Sequence, residues 1–349
     1  MLTNYFLVAI RNLWRNKVSA AINILGLAIG LSCCMLILLY TKDERSYDQF
    51  QAKKHQLYRA VARMSDGKGG ELFHAGKMGL PQAPAFRQDI PEVLDYNRMS
   101  EANYVVKLGN QVVSERFLYT DANFFSIFSF PLLAGDPNSV LKDPHSIVIS
   151  EEAAKKYFGA SSPMGKTLDL EINGKFQSFS VTGLAKTCPQ NSTIKFDMLL
   201  PMKLKELQNP DNDWLNFYIT TFVLLPPKAD PGLVTRKMQQ VFDEKAAGTY
   251  KESGEKYGFK GRVTCGLQPF RQIHLSKEYD AEDELSDASD PMYSYILSGI
   301  AVFIIGIACI NFINLTMASS LKRSREIGIR KVIGGRRSQL IFQDRKSVE

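Results

Sequence analysis

The sequence has few of the residues from which catalytic and metal centres are built. Among 349 residues there are four histidines and five cysteines, and the histidines are scattered without metal-ligand spacing. Neither the nucleophile motif Gly-x-Ser-x-Gly nor the zinc motif His-Glu-x-x-His occurs, and no carboxylate pair suits acid–base chemistry. We therefore predict no enzyme activity, no cofactor and no metal for this chain. His274 is interpreted as a structural hydrogen-bonding residue.

Cysteine usage also argues against a disulfide framework. Cys33, Cys34 and Cys309 lie in apolar stretches, and Cys188 and Cys265 lie outside them. Two cysteines far apart in sequence define no framework, so the pairing of Cys188 with Cys265 stays open.

Charged side chains are absent from two long runs. Residues 18–41 and 291–321 contain no Lys, Arg, Asp or Glu, so the runs are 24 and 31 residues long. A helix needs about 20 apolar residues to cross a bilayer, so we predict transmembrane helices at 18–41 and 293–321. Buried core helices are the alternative. A cleaved signal sequence fits the first run less well, because its apolar part is too long and continues past Cys34.

The distribution of charge orients these helices. Residues 1–41 carry three basic and no acidic side chains, residues 42–292 carry 31 basic and 33 acidic, and residues 293–349 carry nine basic and three acidic. Because basic flanks stay in the cytoplasm, we expect both ends on the cytosolic side of a membrane and residues 42–292 outside it. The basic residues lack the interleaved aromatics of a nucleic-acid surface, so we expect the lipid bilayer as a partner and no nucleic acid.

Residues 1–17 place apolar side chains at helical spacing before the first span. We interpret them as an amphipathic helix in the inner interface or as a cytosolic extension of the span, and both interpretations stay open.

Four residues within the spans predict helix packing. Gly26 and Gly30 form a Gly-x-x-x-Gly pair that lets another helix approach closely. Asn311 and Asn314 are three positions apart, and amide side chains in lipid need partners, so we expect their face to contact protein. Two spans alone cannot fully supply the contacts that these residues predict.

The segment between the spans predicts a mixed α+β domain. Stretches rich in β-branched and aromatic residues predict strands at 57–64, 104–120, 146–150, 178–186, 218–226 and 262–270. Ser150 as N-cap and Gly159 as a stop predict one helix, and Asp230 followed by proline predicts the start of a second, over 230–246.

Two stretches of this segment imitate binding sites. The sequence ASSPMGKT (160–167) loosely fits a phosphate loop, but a helix precedes it and strand-like alternation follows it, so we predict a tight turn. The sequence EYDAEDELSDASD (278–290) holds seven acids that could collect cations. We interpret it as a solvated acidic linker before the second span.

Several stretches in order resemble one known family. One stretch resembles the first span of FtsX-like permeases of the MacB type, namely RNLWRNKVSAAINILGLAIGLS. Successive parts of a MacB-like periplasmic domain are resembled by YDQFQAKKHQLYRA, ANFFSIFSFPLLAGDPNSVLKDPHSIVISEEAAKKYFG, PMGKTL and LQPFRQIHL. The start of the FtsX-like membrane domain is resembled by IIGIACINFINLTMASSLKRSREIGIRKVIGGRRSQLIFQ, which ends at Gln343.

The resemblance implies the permease subunit of an ABC-type transporter or mechanotransmission complex. In such a complex a cytosolic ATPase, here on a separate chain, drives motion of the periplasmic domain for export or efflux. The implied fold is an α+β periplasmic domain with a porter-like part and a smaller inserted subdomain at roughly 131–214. The implied partners are the ATPase subunit, a permease dimer or second module, and a periplasmic adaptor or outer-membrane protein.

Residues 322–343 resemble the family's cytosolic coupling segment. The resemblance assigns docking on the ATPase to Arg325, Glu326, Ile329, Arg330, Lys331, Val332 and Ile333. Helical spacing places Ile329, Val332 and Ile333 on one face. Gly334–Gly335 predict the end of the helix. A basic membrane anchor without a protein partner is the alternative.

The sequence departs from the family in two ways. No ATPase module is fused to it, and residues 344–349 (DRKSVE) do not resemble the next span, so we expect a truncated chain. The alternative function is a two-span membrane receptor with an extracytoplasmic sensory domain. The coding sequence past residue 343 would distinguish the two, and the cargo is not identified by the sequence.

Overall fold

A computed structural model describes residues 17–66, 68, 70–109, 111–279, 285 and 288–332. Most of the predicted helix at 1–17, and residues 333–349, lie outside the described residues. The described helices are α1 Lys17–Ser46, α2 Gln82–Asp89, α3 Phe124–Ile127, α4 Glu151–Phe158, α5 Met202–Gln208, α6 Pro231–Lys245, α7 Ala247–Tyr257 and α8 Pro291–Val332. The described strands are β1 Leu57–Ser65, β2 Glu71–Ala75, β3 Asp95–Leu108, β4 Gln111–Thr120, β5 Leu132–Ala134, β6 Ser146–Ser150, β7 Thr167–Ile172, β8 Lys175–Ala185, β9 Met198–Pro201, β10 Thr220–Leu224 and β11 Arg262–Pro269.

Two parts of the chain pack separately. The first comprises Met1–Lys42 and Met292–Glu349, and we call it the helical unit. The second is Asp43–Pro291, which we call the α+β unit. The boundary falls inside the last turn of α1, so Glu44 and Ser46 belong to the α+β unit although they lie on an apolar helix.

The α+β unit is built on one mixed sheet of eleven described strands. Its order is β11-β1-β10-β3-β4-β9-β6-β8-β5, with β2 beside β1 and β7 paired with both β3 and β8. The pairs β4–β9 and β6–β8 are parallel, and antiparallel pairs such as β3–β4 and β1–β11 make up the rest. The predicted α+β class is confirmed. The inserted subdomain at 131–214 stays a prediction.

Local signals set several element boundaries. The Ser150 hydroxyl accepts a hydrogen bond from Ala153 N at 3.1 Å, and Gly159 ends α4 with φ of 60°. The Asp230 carboxylate accepts from Gly232 N at 2.9 Å at the start of α6. These predicted helix ends are confirmed. The stretch predicted as a strand at 104–120 is instead a hairpin of β3 and β4, because Gly109 turns the chain with φ of 59°.

Apolar side chains from the sheet and helices form three buried clusters in the α+β unit. One centres on Phe124, whose ring lies 5.2 Å from Phe128, 5.5 Å from Phe130 and 5.4 Å from Phe196 between centroids. Replacing such a buried aromatic ring by alanine costs about 3–5 kcal/mol of folding free energy. The α+β unit therefore has a core of its own.

The two long helices expose apolar surface instead of burying it. Ile24–Ser46 and Pro291–Asn314 are long and apolar enough to cross a membrane, and only 11% and 6% of their most apolar windows are buried. Leu36 is 67% exposed and Phe303 is 77% exposed. The core helix of a soluble protein is mostly buried, so the exposure of these two helices favours membrane spans over the core-helix alternative. Apolar surface on this scale calls for lipid or further helices around it.

Candidate functional site

The helical unit brings α1 against α8 at small residues. A Cβ atom built on Gly26 would lie 3.6 Å from the Asn311 amide nitrogen, and one on Gly30 would lie 3.4 Å from the Ile304 side chain. One turn further along α1, the Cys34 thiol donates to the Ala301 carbonyl oxygen over 3.5 Å. Positions rise along α1 as they fall along α8, so the helices pack antiparallel. The sequence prediction missed Cys34 and Ala301, because nothing in the apolar run marks them.

Two other predicted site residues, Asn314 and Val332, are exposed, whereas Asn311 lies beside Gly26. Asn314 is exposed, so a protein partner for it stays a prediction. Val332 lies at the end of α8 with 88% of its surface exposed. The backbone of α8 continues as helix from Pro291 to Val332, which places residues 325–332 on the same helix as the second apolar stretch. Ile333 lies outside the described residues.

A buried polar joint lies where α1 enters the α+β unit. Nε2 of His274 is 3.2 Å from the carboxylate of Glu44, and the His274 ring stacks on Tyr47 with centroids 3.4 Å apart and planes 5° from parallel. The side chains of His274 and Glu44 are only 4% and 12% exposed. The interpretation of His274 as a structural hydrogen-bonding residue is therefore confirmed, and its partner Glu44 was not predicted.

Asp48, two residues after the end of α1, is also held by hydrogen bonds within the α+β unit. Its carboxylate accepts a hydrogen bond from Thr193 N at 3.0 Å and another from the Thr193 hydroxyl. Burial raises the pKa of Asp48, although the bonds from Thr193 and the nearby His274 partly oppose the shift. The backbone of Asp48 has φ of 56°, a left-handed conformation that aspartate tolerates better than most residues.

Two described residues of the acidic stretch before α8 are buried in the α+β unit, and at these two positions the interpretation as a solvated linker is wrong. Tyr279 is 7% exposed and Leu285 is 3% exposed. The Tyr279 ring lies beside the guanidinium groups of Arg59 and Arg63, at 6.0 and 5.6 Å from its centroid. Leu285 pairs with Ile194 through an isolated β-bridge. Acidic composition suggested solvation, but the two apolar side chains between the acids hold the stretch on the domain.

The loop that imitates a phosphate site has several of its backbone amides bonded to protein carbonyls. Gly165 N donates to Val181 O at 2.9 Å and Lys166 N donates to Pro163 O at 3.1 Å. The Lys166 ammonium group donates to the Ser161 hydroxyl at 2.6 Å. A phosphate cradle needs free backbone amides at a helix N-terminus, and here a turn leads into β7. The predicted tight turn is confirmed.

Potential metal ligands and cysteine thiols stay apart among the described residues. No three His, Cys, Asp or Glu side chains among them come together as a metal site. Cys188 and Cys265 are both free thiols, so the open pairing is not formed in the structure. Burial raises the pKa of Cys188 to about 11, which keeps this thiol protonated and unreactive at neutral pH.

A family model decides where this chain belongs. The model of the MacB-like periplasmic core domain matches residues 20–241, which is more than half of the chain. The chain belongs to this family. The match begins within α1 and runs through the α+β unit into α6, so the MacB-like core includes the joint residues Glu44, Asp48 and Thr193.

Curated proteins with sequence similarity are ATP-binding/permease proteins. The chain is 23% identical over 346 residues to a pyoverdine export ATP-binding/permease protein of Pseudomonas syringae pv. syringae, covering 95% of this chain and 47% of that protein. It is 23% identical over 258 residues to a macrolide export ATP-binding/permease protein of a Shewanella species, covering 73% of this chain and 35% of that protein. The chain thus spans about half the length of the curated relatives it matches, or less.

A solved structure shares the fold of the α+β unit. It is a domain of a protein described as a permease from Porphyromonas gingivalis, with a TM-score of 0.52 and 21% identity. The match covers 63% of this chain and 91% of that domain. At this identity the similarity establishes the fold alone.

Proposed function

We propose that this MacB-like chain is the permease part of an ABC-type export machine, in which ATP hydrolysis by a separate cytosolic ATPase moves the α+β unit. The chain catalyses no reaction in this proposal and transmits mechanical motion. The observation that carries the proposal is the order of the parts: one exposed apolar helix, a MacB-like domain, and a second exposed apolar helix. The receptor alternative shares this order but has no support from the family match.

Membrane topology is the first element of the proposal. The basic residues on both outer flanks support a periplasmic α+β unit with both ends in the cytoplasm of an inner membrane. Native Cys265 is 3% exposed and burial raises its pKa, so it reports poorly on accessibility. Ser162 is exposed, and a Ser162→Cys variant in intact cells should therefore react with a membrane-impermeant maleimide. A Ser324→Cys variant should react only after the membrane is opened, and the reverse pattern would contradict the topology.

Docking of the ATPase on residues 325–333 is the second element. Their apolar residues at helical spacing, on a helix that continues from the second span, support a short docking helix. The exposure of Val332 leaves its side chain available for a partner. A dimer, a second permease module, a periplasmic adaptor and an outer-membrane protein remain further proposed partners that follow from family membership.

The decisive experiment is co-purification of the cognate ATPase with permease variants. Replacing Ile329 and Val332 by Asp places charge in the proposed contact, and a buried unpaired charge costs several kcal/mol. Because about 1.4 kcal/mol is tenfold in affinity, ATPase recovery should fall by orders of magnitude. Replacing Arg336 and Arg337 by Ala should have a smaller effect, since exposed ion pairs contribute about 0–1 kcal/mol each. Unchanged recovery with the double Asp variant would contradict docking, whereas loss only with the Ala variant would favour the basic membrane anchor.

A further inference from the structure

His274 contacts both of the segments through which the α+β unit continues into the apolar helices. Its ring binds Glu44 in the last turn of α1 at 3.2 Å and stacks on Tyr47. Its backbone carbonyl accepts a hydrogen bond from Ser289 N at 2.7 Å, two residues before α8 begins. One residue therefore links chain segments that are far apart in sequence, one leaving α1 and one entering α8.

A second element makes the same link independently. Asn191 donates through its side-chain amide to the Ser46 carbonyl oxygen at 3.1 Å, and Thr193 binds Asp48. The next residue, Ile194, pairs with Leu285 in the segment that enters α8, and both side chains are buried. The loop 191–194 thus holds the end of α1 on one side and the approach to α8 on the other.

The buried contacts of His274 make it costly to separate only one of the two segments from the α+β unit. The titratable groups near its ring are the carboxyl groups of Glu44 and Asp48, and both lie among buried neighbours. Exposing one partner while leaving the other buried would strand a charge or a polar atom without its hydrogen bond, which is costly. Nδ1 of His274 has no hydrogen-bond partner among the described residues, so Nε2 is the nitrogen that holds Glu44.

We propose that the six residues Glu44, Tyr47, Asp48, Thr193, His274 and Ser289 form a two-way joint that couples the end of α1 to the start of α8. In the joint His274 is a positioning residue: its ring fixes one segment and its carbonyl fixes the other. Loosening either segment therefore loosens both, because they share the same support. Thermodynamic linkage requires this coupling to be reciprocal. The inference concerns this chain alone and holds whether or not an ATPase docks at residues 325–333.

Amide hydrogen exchange of the full chain in detergent micelles tests the joint. In Glu44→Ala the ring of His274 loses its partner but the Ser289–His274 backbone bond is untouched. We expect amides at 43–48 and also at 288–290 to exchange at least about tenfold faster, because the hydrogen bond between Glu44 and His274 supports both segments. The matched control is Asp43→Ala in the same helical turn, where the side chain is exposed and neither segment should change.

The reciprocal variant is Ser289→Pro, which removes the N–H that binds His274. It should accelerate exchange at 43–48 by a similar factor. Acceleration confined to the substituted segment in either variant would overturn the joint. If Glu44→Ala also accelerates exchange in the core strands β1 and β3, the variant has unfolded globally and the decision passes to Glu44→Gln. Glu44→Gln keeps the shape and a hydrogen-bond acceptor, and it must still accelerate both segments while sparing β1 and β3.

Discussion

Arg98 and Asp121 form a bidentate ion pair inside the α+β unit. Nη2 of Arg98 donates to Oδ1 of Asp121 at 2.7 Å, and Nε donates to Oδ2 at 3.0 Å. The Arg98 side chain is 4% exposed. Burial acts to lower the pKa of Arg98, but the hydrogen bonds and charge of Asp121 outweigh it and raise the pKa, so the guanidinium stays charged. The pair fixes β3 to the residue that follows β4.

The first prediction is that Asp121→Ala strongly destabilises the α+β unit. The substitution removes the bidentate partner of the buried Arg98 charge and leaves Nε and Nη2 without Asp121, while Nη1 keeps its ion pair with Glu206 at 2.7 Å. Breaking a buried ion pair costs about 3–5 kcal/mol of unfolding free energy when no partner remains, so we expect a loss at the lower end of that range. The matched control is Asp243→Ala, which breaks an ion pair with Arg262 whose side chains are 70% and 36% exposed for Arg and Asp. That loss should be about 0–1 kcal/mol. Urea unfolding measures both, and equal losses would contradict the role of burial.

Much of the α+β unit was predictable because its local signals agree with the final fold. The predicted strand at 146–150 is β6, and those at 57–64 and 262–270 each match a strand to within one residue. These stretches contain β-branched or aromatic residues among other apolar ones, and they lie in a sheet that is largely buried. By contrast, α7 has no buried residue, so it lacks the apolar periodicity that would have predicted a helix.

The joint around His274 could not be predicted, because its contacts are made only by folding. Glu44 and His274 are distant in sequence, and the stretch LQPFRQIHL that contains His274 does not point to Glu44. The packing of Tyr279 and Leu285 was hidden by seven acids in the same stretch, which made composition a misleading guide. The small residues Gly26 and Gly30 were recognisable, because close helix approach requires glycine at regular spacing.

The second prediction is that residues 43–291 fold alone and bind no ATP. Their three apolar clusters lie within this range, so no part of the core is lost with the apolar helices. The boundaries include Glu44 and Ser289 because both bind His274. Circular dichroism should report a cooperative thermal transition, and titration calorimetry with ATP should detect no binding. A nucleotide affinity that disappears in Lys166→Ala would contradict the assignment of residues 160–167 as a turn.

The third prediction concerns the pH dependence of stability due to Asp48. Burial raises the pKa of Asp48 in the folded state. The folded protein therefore binds the Asp48 proton more tightly than the unfolded chain does, in which aspartate has a pKa of about 3.9. The stabilising contribution is therefore present below that value and is lost as pH rises through the higher folded pKa. Asn keeps an oxygen for Thr193 N and tolerates the left-handed backbone.

The stability difference between Asp48→Asn and the wild type should consequently grow in favour of the variant as the pH rises above about 4. Chemical denaturation of residues 43–291 at several pH values measures it. Other carboxylates, such as Glu92 with its lowered pKa, act in the opposite direction, but their effect cancels in this difference. A difference that is constant with pH would show that burial does not perturb Asp48.

The fourth prediction tests the packing of α1 on α8 at Gly30. A Cβ atom there would lie at ordinary contact distance, 3.4 Å from Ile304 and 3.6 Å from Ala308, so Gly30→Ala should be tolerated. Gly30→Leu would drive a branched side chain into α8, and such overpacking costs about 1–3 kcal/mol. Ala28→Leu is the matched control, because Ala28 is exposed on the same helix.

The readout is disulfide formation between Cys34 and an Ala301→Cys substitution, since the Cys34 thiol already reaches the Ala301 carbonyl. Crosslinking should survive Gly30→Ala and Ala28→Leu and fall about fivefold or more in Gly30→Leu, as 1.4 kcal/mol corresponds to about tenfold. Equal crosslinking in all three variants would mean that the glycine face does not set the distance between the helices.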